Sequence, residues 1–201
     1  MAIEICLVRH GETEWSLSGQ HTGRTDLPLT ERGEQRARNL GPVLQKMSST
    51  HVLTSPLQRA RRTCELAGLG VVANVEPNLR EWDYGDFEGR TTADIHSQRP
   101  GWNLYRDGCP GGESPEQVSR RADEIAAYLR TLQGIIAIFS HGQFLRALAV
   151  RWIGLAIGEG RHLTLDTASL SVLGYEHTND PAILLWNAVS NDVFDLVPHQ
   201  S

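Results

Sequence analysis

Residues 3–11 read Ile3-Glu4-Ile5-Cys6-Leu7-Val8-Arg9-His10-Gly11. An apolar, partly β-branched run stops at an arginine, a histidine and a glycine. Such a run reads as a buried strand, and it delivers a cation and an imidazole to its C-terminal tip. In α/β proteins that tip is where ligands bind. Arg9 offers fixed donors for an oxyanion such as phosphate. His10, the next residue, acts as nucleophile, acid or base near neutral pH. Taken alone, most such pairs are no more than a strand that ends in polar residues.

Working outward, strand-like and helix-like segments alternate. This is the pattern of an α/β sheet with helices on both faces. The strand candidates are Ile3–Val8, Val52–Thr54, Val71–Val75, Ile135–Phe139, Ser169–Tyr175 and Ile183–Val189. The continuous apolar run Ile135-Ile136-Ala137-Ile138-Phe139 suits a central strand buried on both faces. Ser55-Pro56-Leu57-Gln58 and Ser114-Pro115-Glu116-Gln117 each read as a helix start, with Ser at the N-cap, Pro at the first helical position and Gln at the third. From the second start, Val118, Ala122, Ile125, Ala126, Leu129 and Leu132 share one face at helical spacing. Thr30 caps a helix to about Lys46, with Pro42 as a kink or break. A further helix follows Gly142, with Phe144, Leu145, Leu148 and Ile153 facing inward. Residues 91–112 read as a small irregular cap over the sheet, given Trp102 and Tyr105 to bury. The expectation is a single domain over residues 1–201, a three-layer α/β/α sandwich with a mostly parallel central sheet. His199-Gln200-Ser201 should fray.

A chain of 201 residues is long enough for one sizeable core with a cap. The formal net charge of −5 and a pI near 5.9 argue against a general nucleic-acid binder, which needs a basic surface. Cys6, Cys64 and Cys109 are far apart and form no CxxC, so neither a zinc site nor a disulfide framework is expected. No stretch has the form of a signal peptide or approaches the ~20 apolar residues of a membrane span. These features read as a cytoplasmic protein without metal, membrane or nucleic-acid partner. A homo-oligomer is left open.

Three further stretches carry candidate chemistry. Thr54-Ser55-Pro56-Leu57-Gln58-Arg59 ends a strand and opens a helix with an arginine in its first turns. A cation there opposes the helix dipole, which makes sense beside a bound anion. A solvated arginine face is the other reading. Leu79-Arg80-Glu81-Trp82-Asp83-Tyr84-Gly85-Asp86 sets acids among aromatics, where a carboxyl can serve as proton donor. Composition alone reads it as an acidic surface turn. Phe139-Ser140-His141-Gly142 is a second apolar strand running into His-Gly, bringing another imidazole and a helix N-terminus to a strand tip.

Together, Arg9-His10-Gly11, Arg59, Glu81 and His141 resemble the motifs of the histidine phosphatase superfamily, also called phosphoglycerate mutase-like. The likeness spans essentially the whole chain, with the motifs in the family's order. It implies a metal-independent phosphatase, with no cofactor, acting on a small phosphorylated metabolite through a phosphohistidine. His10 would be the nucleophile and Glu81 the acid and base. Arg9, Arg59 and His141 would hold the phosphoryl oxygens, with Ser16, Thr22, Gly23 and Gly142 adding donors. The stretches Ser18–Thr30, Arg80–Asp86 and Trp102–Cys109 look like those of sedoheptulose-1,7-bisphosphatase-type sugar phosphatases. By that likeness His21, Tyr84, Arg146 and His177 would line the distal end of the pocket. His21 stands where those enzymes carry a tyrosine, and a longer insertion they carry before Val172–His177 is absent here. The remaining readings are a phosphoglycerate mutase, a phosphatase for another small metabolite such as phosphoserine, and a non-catalytic phosphate-binding module. The short segment between Glu81 and His141 favours hydrolysis over the mutase.

Overall fold

The computed structural model describes residues 3–177 and 179–189. The expected fraying at His199-Gln200-Ser201 lies outside the described residues. The strands β1 (Glu4–Arg9), β2 (His51–Thr54), β3 (Asn74–Val75), β4 (Ile135–Ser140), β5 (Leu170–Tyr175) and β6 (Pro181–Ala188) form one sheet in the order β3-β2-β4-β1-β5-β6. β1 to β4 run parallel, β5 runs against β1, and β6 runs against β5. The helices are α1 (Glu14–Ser18), α2 (Glu31–Met47), α3 (Gln58–Leu66), α4 (Thr92–Gln98), α5 (Leu104–Asp107), α6 (Pro115–Leu129) and α7 (Gly142–Trp152).

The period-two alternation of the central strands builds the three layers. Ile5, Leu7, Ile136 and Ile138 face α6 and α7, where Val118, Ile125, Leu129, Phe144 and Leu148 are buried. Cys6, Val8, Ala137 and Phe139 face the other way, onto Leu40, Val43 and Leu44 of α2 and Cys64 of α3. Each fully buried Leu or Ile contributes about 1.5–3 kcal/mol. The chain leaves β1 toward one face and β4 toward the other. The C-terminal ends of these two neighbouring strands therefore open a crevice at a topological switch point. Register places Arg9 beside Ser140 there. Gly11 and Gly33 let α2 press onto the loop after β1: a Cβ on Gly11 would lie 2.6 Å from the Gly33 carbonyl oxygen. Among the described residues no helix is long and apolar enough to cross a membrane.

Four local expectations change. The Val71–Val75 strand shrinks to the two-residue β3 behind a 3-10 turn at Gly70–Val72. It lies at the sheet edge with Val71 fully exposed, so its β-branched side chains have little to pack against. Pro42 does not break α2, which runs through to Met47. Pro42 and Arg38, whose carbonyl loses its helical partner, both lie on the exposed face, where water can serve that carbonyl. The cap is not wholly irregular: Thr91 opens α4 with a capping box, and Asn103 caps α5. Trp102 and Tyr105 are buried as expected. Finally, Ser114 caps α6 with its capping box, but Ser55 does not cap α3. Asp26, 32 residues away in sequence, accepts the Gln58 N–H at 2.8 Å instead. Ser55 Oγ accepts from His141 Nε2 at 2.7 Å and from the Leu57 N–H at 3.3 Å.

Candidate active site

His10 follows β1 directly, its backbone N–H donating to the Ser140 carbonyl at 2.9 Å. Its Nδ1 lies 2.7 Å from the Gly11 carbonyl oxygen. A carbonyl only accepts, so Nδ1 carries the proton and Nε2 keeps its lone pair. The ring forms part of the wall of a cavity of about 170 Å³. Burial, then the nearby guanidiniums of Arg59 and Arg9, hold the imidazole well below its ordinary pKa of 6.5. The geometry thus leaves a neutral imidazole with a free nitrogen lone pair.

Arg9, at the tip of β1, donates through Nη1 to the Leu165 carbonyl. Its Nε is buried without a protein partner. An orphaned buried donor is expensive, and the Arg9 side chain also lines the cavity, where an anion would meet its charge. Glu81 also lines the cavity and is anchored by backbone. Oε1 accepts from Trp82 N and Phe144 N, both at 2.9 Å, and Oε2 from Gln143 N at 3.0 Å. The carboxylate thereby caps α7, which explains an acid at a helix N-terminus.

Arg59 and His141 are fully buried and stand behind His10. The His141 ring centroid is 5.2 Å from that of His10. Arg59 Nε donates to His141 Nδ1 at 3.2 Å, so His141 Nε2 is the protonated nitrogen and faces Ser55 Oγ. The rest of the Arg59 fork holds the carbonyls of Thr22, Gly23 and Thr25 at 2.9–3.0 Å. These bonds engage four of the five Arg59 N–H groups and leave one Nη1 proton for a phosphoryl oxygen, whereas His141 would meet one only by giving up Ser55. Burial, then the charge of Arg59, keeps His141 well below its ordinary pKa.

These two histidines tie stability to pH. Unfolded, each titrates near 6.5; folded, each resists protonation. Above pH 6.5 both states hold them neutral. As pH falls through that value the unfolded chain takes up protons that the folded chain refuses, and stability is lost. The loss is up to about 1.4 kcal/mol per pH unit for each histidine. Tm should fall between pH 6.5 and 5, and fall less steeply in His10→Ala. Parallel slopes would contradict the neutral, buried state of His10.

A family model described as "Histidine phosphatase superfamily (branch 1)" matches residues 5–189. The chain belongs to the histidine phosphatase superfamily. It is a phosphatase, a phosphoric monoester hydrolase. This histidine phosphatase is 42% identical to an acid phosphatase of Mycobacterium tuberculosis, over 86% of this chain and 87% of that one. It is 34% identical to sedoheptulose 1,7-bisphosphatase of Saccharomyces cerevisiae, over 89% and 90% of the two chains. The solved structure of a Mycobacterium tuberculosis open-reading-frame product superposes with a TM-score of 0.88 at 38% identity, covering 92% of this chain and 97% of that one.

In this histidine phosphatase Ser16, His21, Thr22, Tyr84, Gly142 and Arg146 line the same cavity as Arg9, His10 and Glu81. His21 stacks on Tyr84, with ring centroids 4.6 Å apart. Burial, then Glu81, pushes the Tyr84 phenol well above its ordinary range, so it stays a neutral hydroxyl. Arg146 is aimed by the Gly160 carbonyl at 3.0 Å and by Gln143 Oε1 at 2.9 Å. Gly23 does not line the cavity; its N–H is held by the Glu88 carboxylate at 2.9–3.0 Å. His177 is a correction. β5 runs antiparallel to β1, with Leu170 beside Val8 and Leu173 beside Ile5, so His177 lies beyond the far end of β5. At about 3.4 Å per residue that is roughly 20 Å from the crevice. It is exposed and touches none of the cavity.

Trp15, Gly19, Gln20, Gln143 and Leu165 also line the cavity and were not foreseen. Gln143, next to His141-Gly142 at a helix start, could have been read from its position. Leu165 contributes a backbone carbonyl to Arg9, which no side-chain pattern announces.

Proposed function

We propose that this histidine phosphatase hydrolyses a small sugar bisphosphate of the sedoheptulose 1,7-bisphosphate class through a phosphohistidine on His10, without a metal ion. The observation that carries this reading is the His10 ring itself, pinned at Nδ1 by the Gly11 carbonyl and neutral on the cavity wall. The Nε2 lone pair attacks phosphorus, and the ester P–O bond breaks with its electrons on the leaving oxygen. Glu81 is the acid that gives that oxygen its proton. Water then attacks the phosphohistidine and yields a proton to the Glu81 carboxylate. The N–P bond breaks, and His10 regains its lone pair. The Arg9 guanidinium, on the cavity wall, meets a non-bridging oxygen, spreading charge where it develops.

The substrate class rests on size and charge. A cavity of about 170 Å³ is smaller than the ~300–1,000 Å³ of drug-sized sites and suits a compact metabolite. Arg146 supplies a second cation for a distal phosphate, and His21 and Tyr84 form a flat wall for the carbon chain. The yeast relative's name points the same way. The same reading places the enzyme in the cytoplasm, where free buried thiols at Cys6, Cys64 and Cys109 are at home.

The test is phosphate release in EDTA from sedoheptulose 1,7-bisphosphate, fructose 1,6-bisphosphate, phosphoserine, 3-phosphoglycerate and p-nitrophenyl phosphate. A marked preference for one bisphosphate is expected. Uniformly weak hydrolysis, or mutase activity appearing with 2,3-bisphosphoglycerate, would overturn the substrate class. Activity lost to EDTA would overturn metal independence.

A further inference from the structure

Arg121 sits on the buried face of α6, outside the cavity, behind the segment that carries Glu81. Its guanidinium grips Glu113 with two parallel bonds, Nε to Oε1 at 3.1 Å and Nη2 to Oε2 at 2.8 Å. The remaining donors all turn to the 78–81 backbone. Nη1 donates to the carbonyls of Asn78 at 2.8 Å and Arg80 at 2.6 Å, and Nη2 reaches that of Glu81 at 3.4 Å. Glu113 closes the other side: Oε2 also accepts the Asp83 N–H at 2.9 Å, and its carbonyl accepts Trp82 Nε1 at 2.9 Å.

The same guanidinium lies 4.3 Å from the centre of the Phe144 ring. Phe144 N–H is one of the three donors that hold the Glu81 carboxylate. Arg121 therefore touches both supports of Glu81, its own backbone and the first turn of α7. We propose that the Arg121–Glu113 pair positions Glu81 for proton transfer to the leaving group. The inference rests on the reading of Glu81 as the acid.

The chemistry of the fork explains why arginine is needed. Five N–H groups in one plane match two carboxylate oxygens and three carbonyls at once. A lysine ammonium keeps the charge but cannot span that set, so the 78–83 segment would drift by some fraction of an ångström. A displacement of about 1 Å at a reacting group can slow a reaction ~10²-fold. The loss should fall on substrates whose leaving group needs the proton and spare those that do not.

Arg121→Lys and Glu113→Gln in the full chain test this. Turnover of the best alkyl phosphate in the panel above is divided by turnover of p-nitrophenyl phosphate in the same preparation. The ratio cancels any difference in folded fraction, which a merely structural role would change. Both variants should lower it about tenfold or more. Glu81→Gln is run beside them. If Glu81→Gln lowers the ratio and the pair variants leave it unchanged, the positioning inference is overturned while the acid stands. If Glu81→Gln leaves the ratio unchanged, the acid reading fails and takes the inference with it.

Discussion

His10→Ala is expected to lose turnover by several orders of magnitude on every phosphate ester, the scale seen when a covalent nucleophile is removed. His141, its ring centroid 5.2 Å away, cannot stand in: Arg59 Nε occupies its Nδ1 and its Nε2 proton faces Ser55, so it has no lone pair free. The wild-type enzyme mixed with substrate and quenched in alkali should hold phosphate on nitrogen, lost again in acid. The variant should hold none. A variant with wild-type turnover, or one that still traps alkali-stable, acid-labile phosphate, would remove His10 from the nucleophile's role.

Glu81→Gln should slow alkyl phosphates by about 10²–10⁴-fold and p-nitrophenyl phosphate far less, because a nitrophenolate hardly needs a proton as it leaves. The substitution also disturbs the start of α7. A glutamine offers one acceptor oxygen where the carboxylate offers two, while Trp82, Gln143 and Phe144 all donate. One N–H is then left poorly paired, at a cost of about 1–3 kcal/mol. That cost lowers stability for both substrates alike, so the comparison between them isolates the proton. Equal losses on both would take the acid role away from Glu81.

Much of this site was legible in the residue string because its parts are local. An apolar strand that ends in Arg9-His10-Gly11, and a second that ends in Ser140-His141-Gly142, announce their own direction and tips. The box at Ser114 is a four-residue device, and it forms as read. Three-layer packing follows from the two-faced alternation of β1 and β4. Elsewhere the same local grammar is overruled. Ser55 has the chemistry of a cap, but a histidine 86 residues away takes its hydroxyl, and Asp26 caps α3 instead.

The departures share one physical cause: each depends on a partner distant in the chain. His177 misses the cavity because β5 runs antiparallel to β1, and strand direction is set by which neighbour a strand pairs with. Arg59 sits behind His10 because the carbonyls of Thr22, Gly23 and Thr25 and the His141 ring engage four of its five donors. Arg121 gains its place behind Glu81 from Glu113 and three carbonyls that fold up to it. Residue order reveals which groups are able to react and which tips will carry them. Which donors are left unpaired, as at Arg9 Nε, is set when the layers close and every other polar atom has found its partner.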